Sequence, residues 1–435
     1  MLRTLLLRAF ALLMFFLAHL GAIALAEEVL DKKTPNKGSP EGDINYFITD
    51  LEPARLEPAE EDTDTKDDGV EQDNGHSLKL AAPIKDLTAN EEEKISDNSS
   101  AAAPEFTRRH YVLHDKITKC LKFYRERPEN AAARSPWGVM HAMIAYGAET
   151  EIYAEGRRVN AISWLNWNGA CRGMRLFRSG NGRIYGLEGP GLQGHSGQYL
   201  AMLAQCKVMS GSPMLIDGKK YTVADLIETE MATCRSGTEL TFKLIGLSHF
   251  LRSHVKWRSK NGEEWDVPRL IKEELAQSVV GAACGGTHRM MSFSYAVHIR
   301  QQRGEPIDGQ WLRAKKYVDD YHEYTLGMQN PDGSFSTNFF EGRGNSSDIN
   351  QKLRTTGHIL EWLAFSLPED QVREDPRLLA AANCLADLML YNSRNSWEVG
   401  PKGHAIRALV LYKNRVFGDD VAKHPSEVAS GRDEP

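Results

Sequence analysis

Five histidines recur at one kind of position along the chain. Gly138-Val139-Met140-His141, Gly194-His195, Gly286-Thr287-His288, Gly357-His358 and Gly403-His404 each place an imidazole one to three residues after a glycine, at the head of an apolar stretch. A sixth such stretch, Thr238 to Leu251, follows Gly237 and carries Glu239 at the corresponding place. Imidazole titrates near neutrality and can give or take a proton at physiological pH. Brought together, His195, His288, His358, His404 and Glu239 would be acid and base groups, with Tyr199 and Tyr295 as further proton donors. His141, Arg172, Arg175, Arg289 and Arg354 would bind the ligand, because Arg grips a planar anion with two parallel hydrogen bonds. Trp167, in the alternating run Trp164-Leu165-Asn166-Trp167-Asn168, would stack on a sugar ring. Cys284 and His288 are four apart and would share a helix face as metal ligands, with His195 or His358 completing a set. Gly285-Gly286 breaks that helix between them, so no metal ligand set is assigned and no cofactor is expected.

Such residues need elements to carry them. The stretches that follow the six stations are apolar nearly all round, the pattern of helices covered on every side. Between them, Val112 to Tyr124, Val223 to Cys234, Val267 to Val279, Trp311 to Met328 and Pro376 to Tyr391 show apolar residues at i, i+3, i+4 and i+7 with charges on the other face, as in half-exposed helices. One outer partner is missing, and the gap falls in Arg157 to Pro190, which reads as short strands and loops. Six buried helices paired with outer ones close most economically as an all-α (α/α)6 toroid, with an open superhelical array as the alternative. The inner helices would then run in one direction, and their N-termini, each opened by its station residue, would converge on one mouth of a central cavity.

Two segments resemble known proteins. Gln329-Asn330-Pro331-Asp332-Gly333-Ser334-Phe335 is similar to the Q-x-x-D-G-S-W turn of terpene cyclases, with Phe in place of Trp, and Gly191 to Leu203 (GLQGHSGQYLAML) is similar to inner-helix starts of protein prenyltransferase β subunits. The resemblance, to the terpenoid cyclase and protein prenyltransferase superfamily over roughly residues 107 to 415, implies an α/α toroid. It does not imply those families' chemistry. There is no D-x-D-D acid, Val318-Asp319-Asp320-Tyr321 lies on an outer helix, and no D-x-C precedes a suitable His.

The flanks bound the setting. Residues 1 to 26 carry Arg3 and Arg8, an apolar run and a small-residue end at Ala24-Leu25-Ala26, the form of a secretory signal cleaved after Ala26. Residues 27 to 105 hold 22 acidic and 8 basic residues, and Tyr46 and Phe47 are their only aromatics. That composition reads as a disordered acidic tether. The expected domain runs from 106 to 415, with 416 to 435 as a tail. The whole chain carries −6, but residues 106 to 435 hold 43 basic and 37 acidic residues. A mildly basic body suits an anionic carbohydrate or other anionic ligand, and its charge is too dispersed for nucleic acid. No later run spans a membrane, and oligomeric state is unspecified. Six widely spaced cysteines leave one to three disulfides open, with buried free thiols the commoner outcome in helical patterns.

Two functions follow as expectations. The first is a secreted or periplasmic lyase or hydrolase acting on an anionic polysaccharide in a His-lined central cavity. The alternative is a non-catalytic binding or scaffold protein in which the Gly-x-His stations are structural.

Overall fold

The structure, a computed structural model, describes residues 106–418. The expected signal segment, the acidic tether and most of the expected tail lie outside the described residues. Thirteen helices follow one another: α1 (Arg108–Arg125), α2 (Pro136–Tyr146), α3 (Ala161–Asn166), α4 (Gln198–Gln205), α5 (Val223–Ala232), α6 (Thr241–Phe250), α7 (Val267–Leu275), α8 (Thr287–Gln302), α9 (Gly309–Gly327), α10 (Ile349–Ser366), α11 (Glu369–Glu374), α12 (Pro376–Tyr391) and α13 (Val399–Phe417). Four antiparallel hairpins interrupt them: β1–β2 (Glu151–Ala154, Arg157–Asn160), β3–β4 (Phe177–Gly180, Arg183–Gly186), β5–β6 (Pro213–Ile216, Lys219–Thr222) and β7–β8 (Trp257–Arg258, Glu264–Trp265). The described protein is therefore mostly helical.

Local chemistry sets the boundaries. Ser135, Asp266 and Asp375 accept the first free backbone N–H groups of α2, α7 and α12, and each of these helices has Pro in its first turn, where the missing N–H costs nothing. Every residue from Gln198 to Ala204 in α4 and from Thr241 to Ser248 in α6 is buried, as expected for helices apolar on all sides. These interior helices pack in a closed sequence: α2 on α4, α4 on α6, α6 on α8, α8 on α10, α10 on α13, and α13 back on α2. The half-exposed helices lie outside: α1 on α12 and α13, α5 on α6, α7 on α6 and α9, α9 on α8, and α12 on α10. The partner missing from the sequence pattern is the short α3, which packs on α2 between the first two hairpins.

Two expectations need correction. The station residues do not all open helices. His195 and Glu239 precede α4 and α6 and His288 is the second residue of α8, but His141, His358 and His404 lie deeper in α2, α10 and α13. In α10 the reason is Asp348, whose carboxylate accepts the Asn350 N–H and starts the helix ahead of the glycine. The glycines there serve close crossing. A Cβ on Gly357 would lie 3.0 Å from Ala405 Cα, and one on Gly403 would run into the His141 carbonyl oxygen. The helix α13 also continues to Phe417, past the expected domain end at 415. All six cysteines are free thiols, and Cys120, Cys171, Cys206 and Cys234 are buried. Asp332 accepts from the Ser334 N–H and hydroxyl and pairs with Lys352 at 2.5 Å, so the Gln329–Phe335 turn is closed by its own Asp332 and tied to α10. Among the described residues no helix is long and apolar enough to cross a membrane.

Candidate functional site

The five stations with imidazoles converge. Ring centroids are 3.9 Å apart for His358 and His404, 5.2 Å for His288 and His404, 5.5 Å for His288 and His358, 5.7 Å for His141 and His404, and 6.3 Å for His195 and His288. His141, His288, His358 and His404, with Glu361 and Gln198, line an interior cavity of about 20 Å³. That is room for about one water, not for a sugar ring.

Side-chain clamps hold the contributing segments. Gln193 Oε1 accepts the Tyr199 N–H at 2.8 Å and Gln198 Oε1 accepts the Gly194 N–H at 2.9 Å, fixing the loop that carries His195 against the start of α4. Glu274, fully buried, accepts from Leu240 N–H, Thr241 hydroxyl and Arg289 Nε at 2.7, 2.6 and 2.9 Å, joining the starts of α6 and α8. Cys284 enters the same region through a left-handed turn: Cys284, Gly285 and Gly286 have φ of 50°, 63° and 84°. A Cβ on Gly285 would collide with the Phe339 ring, so glycine is required there both for φ and for space. The Gly-Gly pair does break the helix, but the turn folds Cys284 back over α8 instead of separating it. Cys284, His288 and His358 each offer a ligand atom within 4.8 Å of the other two.

Protonation differs across the cluster. His358 Nδ1 and His141 Nδ1 each donate to a backbone carbonyl four residues earlier, Arg354 O and Trp137 O, at 2.7 Å. A carbonyl can only accept, so both rings carry Nδ1–H and a bare Nε2. Burial pushes His288 down to about 4 and His141, His358 and His404 below the ordinary imidazole value. The His404 Nδ1 lies 2.5 Å from Glu361 Oε2, and burial raises Glu361 to about 7, so the pair shares one proton near neutrality. His195 behaves oppositely. Its Nδ1 lies 2.7 Å from Glu239 Oε2, and that hydrogen bond raises it above the ordinary value. Burial alone would push the Cys284 thiol up, but the adjacent His358 imidazole, with His195 and Arg354, holds it below the usual thiol range.

Several nitrogens have no partner. Both ring nitrogens of His288, and Nε2 of His358 and of His404, are buried without a hydrogen bond. Buried unpaired polar atoms are uncommon in folded proteins, and each needs an explanation.

Other expected site residues lie elsewhere. Tyr199 is fully buried and donates to Asn166 Oδ1 at 2.7 Å, and Tyr295 donates to Ala204 O at 3.0 Å with His249 Nδ1 at 2.9 Å. Neither lines the cavity. Arg172 donates to Ala133 O in the loop before α2 and Arg175 to Asn168 O, so both are engaged by backbone carbonyls. Arg289 borders the rim, but its guanidinium is held by Glu274, Gln277 and Ser278 O. Trp167 is 49 % exposed at the end of α3 and shares no contact with the histidines. Arg354 is exposed, faces a recess of about 370 Å³ beside Asp348 and Glu398, and acts on Cys284 through its charge. Glu361 and Cys284 were the residues sequence reasoning undervalued. The signal for Glu361 was its position three after His358 on one helix face.

Comparison with protein families, curated proteins and solved structures finds no match to this chain.

Proposed function

We propose that the described body is an (α/α)6 toroid, exported from the cytoplasm, whose mouth is a proton-transfer site for an anionic ligand. The single supporting observation is the His195–Glu239 pair. It is hydrogen-bonded at 2.7 Å and half open, with side chains 21 % and 35 % exposed. Glu239 also borders a surface recess of about 340 Å³ formed with Gln277, Ser278, Ala283 and Arg289. That volume is in the range of small-ligand sites, whereas the 20 Å³ interior admits only what is smaller than a sugar. The substrate therefore sits outside the histidine cluster and presents one reacting bond to it. Glu239 orients His195 and stabilises its charged form, making His195 the acid or base beside the recess that Glu239 borders. Elimination or hydrolysis on an acidic carbohydrate is the reaction class that uses these parts.

The non-catalytic reading gains from Gly357 and Gly403, whose place in the chain is explained by helix crossing. It accounts for the glycines and leaves the unpartnered imidazole nitrogens without a role. The test is to incubate the protein with a panel of uronate polymers and follow absorbance of unsaturated product and release of reducing ends. Turnover that falls at least about 100-fold in His195→Gln, the scale of a lost general acid or base, supports the reading. Binding without turnover across the panel would favour the scaffold.

A further inference from the structure

We propose that Cys284, His288 and His358 bind a divalent transition-metal ion of the zinc class, with one coordination position left open toward the mouth. The location rests on the reading of the mouth as the functional site, but the chemistry of the ligand set stands apart from it.

Three observations carry the proposal. The ligand atoms of the three side chains lie within 4.8 Å of one another. A tetrahedral zinc centre, with Zn–N near 2.0 Å and Zn–S near 2.3 Å, separates its ligands by about 3.5 Å. Side-chain rotation over roughly an ångström closes that difference without moving a helix. Second, His358 has the outer hydrogen bond that metal-ligating histidines use: Nδ1–H donates to Arg354 O, fixing the ring with bare Nε2 inward. Third, that Nε2 and both nitrogens of His288 are buried with no partner. His358 itself is 3 % exposed. A cation supplies the partner that no protein group provides.

The donor set names the metal class. One thiolate with two neutral imidazoles suits zinc and its neighbours and is poorly suited to magnesium or calcium, which take oxygen ligands. Three protein ligands mark an open, catalytic type of centre, in contrast to the four that close a structural one. His404, with its own unpartnered Nε2, has its ring 3.9 Å from that of His358 and 5.2 Å from that of His288. An ion held by these residues would lower the pKa of a bound water and so supply a nucleophile or base at the cluster.

The full-length chain, reduced and stripped with a chelator, is titrated with Co2+ and Zn2+. One equivalent of Co2+ should give tetrahedral d–d bands and a thiolate-to-cobalt charge-transfer band, displaced by Zn2+. Zinc should also protect Cys284 from alkylation. Cys284→Ser should abolish the charge-transfer band, and His358→Gln should weaken zinc by more than about 100-fold, beyond the loss from an outer-shell change. His195→Gln should leave the stoichiometry at one. Absence of the thiolate band from the wild-type cobalt spectrum overturns the proposal without any variant, as does a band that survives Cys284→Ser. A cobalt signature with turnover unchanged in His195→Gln would overturn the proton-transfer reading alone, and His195-dependent turnover without a thiolate–cobalt band would overturn the metal site alone.

Discussion

Lys243 shows what one buried side chain can demand of its surroundings. It is 2 % exposed, and its ammonium donates to Glu230 Oε2 at 2.5 Å, Thr233 Oγ1 at 2.6 Å and Glu230 O at 3.1 Å. Desolvating two charges costs nearly what their attraction returns, but removing one leaves the other stranded. Lys243→Met should destabilise the protein by about 3–5 kcal/mol, read from urea midpoints, and adding Glu230→Gln should recover much of it. The same residue-level chemistry decides what sequence could reveal of the site. The histidines were legible because the station repeats. Arg172 and Arg175 are held by backbone carbonyls, which no pattern of side chains discloses, and Arg289 is taken up by Glu274, Gln277 and Ser278 O from a neighbouring segment. Tyr199 and Tyr295 were misread because a helix apolar on every side carries no periodicity to say which face turns inward. Cys284 was set aside because three successive left-handed residues reverse the chain where Gly-Gly reads only as a break.

At the level of elements, the crossings of the interior helices set the tolerance. Gly403 stands against the His141 carbonyl and Gly357 stands 3.0 Å, as measured from an added Cβ, from Ala405 Cα. Gly403→Ala must part α13 from α2, whereas Gly357→Ala asks for a smaller shift between α10 and α13. Overpacking of this kind costs about 1–3 kcal/mol, so both should lower the thermal midpoint, Gly403→Ala more. Gly218→Ala, at an open turn with nothing near the new methyl, meets no clash and is limited to the backbone strain of φ 76°. Equal midpoints for Gly403→Ala and Gly357→Ala would sink the ranking. The alternation of outer and interior helices was readable from apolar spacing. The extra turns at the heads of α10 and α13 were not, since Asp348 and its cap sit ahead of the glycine taken as the start.

For the whole molecule, buried imidazoles set the response to acid. His249 and His322 are both held down to about 4, chiefly by burial, with Arg303 and Lys207 adding to the first. His249 Nδ1 is bonded to the Tyr295 hydroxyl and His322 Nε2 to Ser366 Oγ. Unfolded, each takes up a proton near 6.5, so above that pH neither contributes to stability. As pH falls from about 6.5 towards about 4, the unfolded chain binds protons the folded one refuses, and each group costs up to about 1.4 kcal/mol per pH unit. Urea midpoints should drop steeply between pH 6.5 and 4.5, and His322→Gln should flatten that slope by one proton. An unchanged slope in the variant would show that His322 is not held neutral.

The contacts at Gly357 and Gly403 have one last consequence. Where backbones meet with no side chain between them, sliding or rolling of either helix runs directly into backbone, which holds the imidazoles of His141, His358 and His404 near one spacing. A guest arriving there finds its seat already assembled, and little of its binding free energy is consumed in rearranging the host.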